Sequence, residues 1–158
     1  MKNKALIILL LSAALWILML LSAAPKLITR AAGDMPTEEE IAEEEYWDSL
    51  ELLAICVEAE AGNQGLEGKR MVVDVILNRV DDPDWPDTIE EVISQPTHFS
   101  SFWDGSMDRV SVSDETFEAV KMEIENRSWP GIYYFTAGSY GKYGTPWKKV
   151  GDHYFSTK

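Results

Sequence analysis

Two glutamates, Glu58 and Glu60, stand two residues apart in "CVEAEAGNQG" (Cys56–Gly65), directly before a glycine break. A carboxyl group that keeps its proton in an apolar setting can hand it to a leaving oxygen, which is the step that cleaves a glycosidic bond. Helix phase separates the two acids. At about 100° per residue, with Leu50 at zero, Leu53, Ala54, Val57 and Ala61 fall within about 60° of it. Leu52 and Cys56 widen that apolar arc on one side, and Glu60 falls inside the widened arc. Glu58 falls on the opposite edge beside Glu51 and reads as a surface carboxylate. Burial disfavours a charged carboxylate, and so does the partial negative charge at a helix C-terminus. Glu60 is therefore the candidate general acid, against the plainer reading of a helix-end glutamate packing its methylenes.

Other reactive types offer less. Cys56 is the only cysteine, so no intrachain disulfide forms and the fold must be held by its core. It sits in an apolar helical run and reads as inert core rather than nucleophile. With only His98 and His153 beside it, no metal-ligand cluster is apparent, so neither a zinc site nor a cofactor is expected. Asp104 and Asp152 are the loop acids nearest to the aromatic segments, and turn duty is the plainer role for each. Lys and Arg number 14 against 27 Asp and Glu, a net charge of -13, which excludes a phosphate-tracking nucleic-acid binder.

The elements that would position Glu60 are legible in outline. A capping box at Thr37 and Glu40 opens a helix whose apolar spacing runs to Ala61. A second helix is predicted over 66–80, a third over 88–95 and a fourth over 114–126 with Ser113 as its cap. The segment 95–105 reads as a loop with room for a short strand. "GIYYFTAG" (Gly131–Gly138) and "KVGDHYFST" (Lys149–Thr157) read as strands, with 141–147 a loop between them. The class is α+β, helix-rich, with a small antiparallel sheet. Aromatic residues gather late in the chain and suggest a cleft wall for sugar rings as well as core.

Ahead of the domain, Lys2 and Lys4 precede the uncharged stretch Ala5–Ala24, twenty residues long. That length of helix spans about 30 Å, the hydrocarbon core of a bilayer. Residues 1–30 are expected to be a signal anchor, one N-terminal transmembrane helix, with cleavage near Ala24 as the alternative. The acidic run from Asp34 to Asp48 carries eight carboxylates and no Lys or Arg. It reads as a solvated, flexible linker over 31–46, ahead of a catalytic domain over 47–158.

Four segments together resemble the SleB-type cell wall hydrolases, the catalytic domains of spore cortex-lytic enzymes and their vegetative relatives. They are "AEAGNQGLEGKRMVVDVILNRV" (Ala59–Val80), "HFS" (His98–Ser100), "YYF" (Tyr133–Phe135) and "VGDHYF" (Val150–Phe155). The family commonly reads "EARGE" where this chain has "EAGNQ" (Glu60–Gln64), and "GNH-x-F" where this chain has Asp152 for Asn. The resemblance implies a lysozyme-like fold acting on peptidoglycan glycan strands as a monomeric catalytic domain. It places the family's catalytic glutamate on Glu60. The implied reaction is lytic transglycosylation between N-acetylmuramic acid and N-acetylglucosamine, with one glutamate as acid and then base, and no carboxylate nucleophile. Asn78 could orient Glu60 or meet an N-acetyl group, or serve the core. Phe99 and Ser100 could line the groove. Tyr134 and Phe135 alternate on a strand, so only one is expected to face it. His153 is expected on the last strand as a hydrogen-bonding scaffold. A hydrolytic muramidase or glucosaminidase on the same fold, and a non-catalytic peptidoglycan-binding module, remain the alternatives. The expected location is membrane-anchored and extracytoplasmic, or secreted if the apolar segment is cleaved.

Overall fold

The computed structural model describes residues 35–158. In chain order the elements are α1 (Glu38–Ala61), α2 (Leu66–Val80), α3 (Ile89–Ile93), α4 (Ser100–Trp103), a 3-10 turn (Met107–Arg109), α5 (Asp114–Glu125), β1 (Ile132–Ala137), β2 (Thr145–Val150) and β3 (His153–Thr157). The expected signal anchor lies outside the described residues. Among them no helix is long and apolar enough to cross a membrane.

Helix α2 is the centre. Met71 to Arg79 are buried without interruption, as befits a helix surrounded on all sides, and α1, α3, α5 and β1 pack against it. Each fully buried Val or Ile there contributes about 1.5–3 kcal/mol. The same helix buries Asp74, Asn78 and Arg79, and all three reach the chain entering β1. Asp74 Oδ2 accepts from the Trp129 N–H at 2.6 Å. Asn78 Nδ2 donates to Trp129 O and Ile132 O, both at 2.8 Å. Arg79 donates to Tyr133 O through Nε at 2.9 Å and Nη2 at 2.7 Å. Helix side chains thus satisfy backbone groups around the entry of β1, where the pairing with β3 is irregular.

The sheet is antiparallel, in the order β1-β3-β2. What reads as one strand over 149–157 is the end of β2, a turn, and β3. Val150 pairs with His153 across Gly151-Asp152. Gly151 holds φ 56, and a Cβ there would come within 2.0 Å of Gln64 Oε1, so only glycine makes this turn. Gln64 Oε1 accepts the Asp152 N–H at 3.0 Å and ties the turn to the end of α1.

Two further expectations are corrected. The flexible linker expected over 31–46 is helical from Glu38 onward, as the capping box at Thr37 implied, and is continuous with the helix that carries Glu60. The segment 95–105 contains α4 instead of a strand.

Asp74 and Glu123 form a buried acid pair beside α2. Burial raises Asp74, the Trp129 N–H opposes, and the adjacent Glu123 carboxyl raises it further, to about 7. Glu123 accepts from Arg70 Nε at 2.5 Å and from the Ser128 N–H at 2.7 Å. Folded Asp74 therefore holds a proton that unfolded Asp74 has lost between about pH 4 and 7. The stability it contributes is present at the acid end of that window and is lost as pH rises toward 7. His98 and His153, both lowered by burial, act with the opposite sign. The comparison with Asp74→Asn isolates the acid. Between pH 5 and 7, urea denaturation is expected to show wild type losing up to about 1.4 kcal/mol per pH unit relative to the variant. Parallel pH profiles would refute the assignment.

Candidate functional site

Glu60 lies in the last turn of α1, half-buried, with Cys56 one turn before it on the buried face. Its carboxylate is held from across the domain by Ser101 of α4. The Ser101 hydroxyl donates to Glu60 Oε1 at 2.6 Å and the Ser101 N–H at 3.2 Å. Both donors land on Oε1. Among the described residues no donor reaches Oε2. Burial, then the Glu60 charge, pushes the Cys56 thiol far above its ordinary range, so Cys56 is an inert neighbour, as its setting suggested.

His153 closes the other side. Its ring is 5.1 Å from Phe135 and 6.0 Å from Phe155, and its Nδ1 is buried with no hydrogen-bond partner. Burial holds its pKa below the ordinary value, against the Glu60 and Asp152 charges that would raise it. The imidazole beside the acid is therefore neutral at neutral pH. The structure thus gathers Glu60, His153 and Phe135, with Gln64 fixing the turn that carries His153 against the helix end that carries Glu60.

The remaining candidates sort differently. Asn78 spends its amide on Trp129 O and Ile132 O and accepts from Arg127 Nη1 at 3.2 Å, so it ties α2 to the chain entering β1 and does not orient Glu60. Phe99 is 0% exposed, its ring tilted against Phe135 at 6.1 Å, and offers no surface to a ligand. Ser100 is exposed and lines a shallow depression of about 510 Å³ with Trp103 and Asp104; its neighbour Ser101 is the residue that meets Glu60. Four residues of helix carry too little periodicity to tell the two serines apart. Tyr134 and Phe135 both line a second cavity of about 360 Å³, although strand alternation had allowed only one. The pairing slips between Ile132 and Tyr134, which breaks simple alternation at the strand's entry. Thr97 borders both cavities at φ 72, a conformation β-branched residues rarely adopt. Asp104 performs turn duty, accepting the Ser106 N–H at 2.8 Å. Among the described residues no group of His, Cys, Asp and Glu could hold a metal.

Glu58 is the larger correction. It is no surface acid: it accepts from the Ser113 N–H at 3.2 Å, the Ser113 hydroxyl at 2.8 Å and the Thr116 hydroxyl, with Lys69 Nζ at 3.9 Å. Burial alone would raise it, but the Thr116 and Ser113 donors and Lys69 outweigh burial and hold it below the usual carboxylate value. The flank that looked free on a helical wheel is covered by the start of α5.

The family profile described as Cell Wall Hydrolase matches residues 63–156, beginning just after Glu60. The chain is 33% identical over 114 residues to the spore cortex-lytic enzyme of Bacillus subtilis (strain 168), covering 68% of this chain and 37% of that protein. It is 34% identical over 114 residues to the spore cortex-lytic enzyme of Oceanobacillus iheyensis, covering 68% of this chain and 41% of that protein. The chain thus spans less than half the length of these curated relatives. Two solved structures share the fold. One is the catalytic domain of the germination-specific lytic transglycosylase SleB from Bacillus anthracis, at TM-score 0.61 and 25% identity, covering 69% of this chain and 93% of that one. The other is the catalytic domain of the Bacillus cereus SleB protein, at TM-score 0.62 and 25% identity, covering 70% and 91%.

Replacing Glu58 by Ala leaves the Ser113 and Thr116 donors and Lys69 without their acceptor. The expected cost is about 3 kcal/mol by urea denaturation. Replacing the exposed Glu51 by Ala should change stability by less than about 0.5 kcal/mol. Equal, small effects would show that Glu58 is not the anchor described.

Proposed function

We propose a lytic transglycosylase of peptidoglycan, on the premise that this chain belongs to the cell wall hydrolase family. The observation that carries the reading is Glu60: one carboxylate at a helix end, one oxygen pinned by Ser101 and the other unengaged beside a neutral imidazole. The name of the Bacillus anthracis relative, a germination-specific lytic transglycosylase, supports the same reaction class.

In this reading Glu60 enters protonated, with the proton on Oε2 while Oε1 accepts from Ser101. The proton passes to the oxygen linking N-acetylmuramic acid to N-acetylglucosamine, and the C1–O bond breaks. The resulting carboxylate takes the proton of the muramoyl C6 hydroxyl as that oxygen bonds to C1. A 1,6-anhydro ring closes, water is not consumed, and Glu60 is reprotonated for the next turn. A single acid suffices, unlike the paired carboxylates of ordinary glycosidases. Ser101 acts as a positioning residue that keeps Oε2 aimed at the bond. Burial keeps His153 uncharged, so it brings no cation to the acid.

The finer assignments belong to the same proposal. The catalytic domain has a lysozyme-like arrangement over 47–158, with 31–46 as a spacer and residues 1–30 anchoring the chain on the outer face of the membrane. The names of the curated relatives suggest spore cortex as the substrate.

Digestion of purified peptidoglycan by the full-length chain should release anhydromuramoyl products, each lighter by one water than a hydrolytic product, as read by mass spectrometry. Glu60→Gln should lower the rate by about a hundredfold or more, with the fold intact by circular dichroism. Ser101→Ala should lower it by roughly tenfold, the loss of one hydrogen bond that positions the acid, while Ser100→Ala stays near wild type. Reducing-end products would replace transglycosylation by hydrolysis. Undiminished lysis by Glu60→Gln would remove Glu60 from the chemistry.

A further inference from the structure

Several cations of this acidic chain are matched by carboxylates, and others are not. Among the described residues, Lys69, Arg70, Arg127, Lys148 and Lys158 each have a carboxylate at 3.1 Å or closer. Arg79, Lys142 and Lys149 have none; each lies over an aromatic ring, as Arg70, Lys148 and Lys158 also do. Arg79 Cζ is 4.3 Å from the Trp85 centroid and 5.7 Å from that of Tyr134. Lys142 Nζ is 4.7 Å from Tyr143, and Lys149 Nζ is 5.2 Å from Tyr154. Tyr134, Tyr143 and Tyr154 all line the cavity of about 360 Å³, and so do Arg79 and Lys142. Among the described residues no Asp or Glu lines this cavity.

At its floor Arg79 is 5% exposed, and its Nη1 is buried with no hydrogen-bond partner. A guanidinium and an ammonium, neither with a carboxylate partner, line one acid-free cavity and form a site of positive potential on a chain that otherwise repels anions. Glu60 lines neither cavity, and the link to it runs through neighbours. Thr97 borders both this cavity and the depression at Ser100, where α4 begins, and Phe135 lines this cavity while packing on His153. A glycan strand crossing Glu60 would lay the next part of its substrate here.

We propose that this cavity is an anion subsite that takes the carboxylate-bearing peptide substituent of the muramoyl sugar, with Lys142 as its outer contact. The assignment rests on the reading of peptidoglycan as substrate and adds to it a preference. Glycan whose lactyl groups carry acidic peptide is favoured over glycan stripped of peptide. The tyrosine rings would support the peptide backbone and sugar edge, and the cations would select the charge.

The test uses the full-length chain with Glu60→Gln, so that nothing turns over, and N-acetylmuramoyl-L-alanyl-D-isoglutamine as probe. Binding is followed by amide shifts at Gly141 and Tyr143. The probe is expected to bind saturably and to weaken with added salt. Lys142→Met should weaken it roughly threefold to tenfold, Lys142→Arg should restore it, and the uncharged amide of the probe should bind wild type and Lys142→Met alike. Equal binding of the acid and its amide, no dependence on Lys142, or no saturable shift would each overturn the subsite. Digestion assays separate this from the reaction itself. If the native chain releases no anhydro products while Lys142-dependent binding persists, the transglycosylase reading falls and the subsite stands. If products form with no preference for peptide-bearing strands, and Lys142→Met changes nothing, the subsite falls alone.

Discussion

Three polar side chains of α2, Asp74, Asn78 and Arg79, hold the backbone of Trp129, Ile132 and Tyr133, and the position of everything beyond depends on them. That stretch lies inside the domain, where an unpaired carbonyl or N–H costs about 1–3 kcal/mol. The pairing with β3 reaches Ile132 and then slips before Tyr134, so helix side chains take up the groups it leaves. The strand that follows carries Phe135, and its partner β3 carries His153. α2 also packs against α1, which carries Glu60. One helix therefore fixes both walls of the candidate site relative to each other.

Glu58 and Glu60 show how environment divides two like residues. Each accepts an N–H and a hydroxyl from one serine: Ser113 for Glu58, Ser101 for Glu60. The difference lies in what remains. Glu58 also takes Thr116 and Lys69, which leaves it spent on structure. Glu60 keeps an oxygen free. The end of α1 is thus clamped from two sides, and the clamp that is incomplete is the one placed to do chemistry.

Much of the fold was legible because long periodic segments announce themselves. Helix α2 has the bounds its apolar spacing implies, and α5 opens after Ser113 as its cap residue implies. Helix phase also placed Glu60 on the inward arc. The failures share a physical cause: the partner lies far away in sequence. Glu58 looked exposed because nothing in α1 records that α5 will cover it. Asn78 carries no sign of whether a substrate or a carbonyl 51 residues away will use its amide. In the "HFSSFW" segment (His98–Trp103), Ser100 lines a depression as expected, but Phe99 is buried and the contact of Ser101 with Glu60 has no sign in the sequence, because one turn of helix has no phase to read. The Gly151-Asp152 turn was hidden inside an otherwise strand-like run, although a glycine there was the one available signal.

The order of the sheet has a consequence for how the chain matures on the ribosome. β3 is the last of the three strands to be synthesised, yet it lies between the other two. Until it emerges, β1 and β2 have no common neighbour and both expose open edges. His153 opens that same strand, so the side of the site that it forms is the last to be put in place. A nascent chain halted short of β3 would therefore carry the acid without its wall.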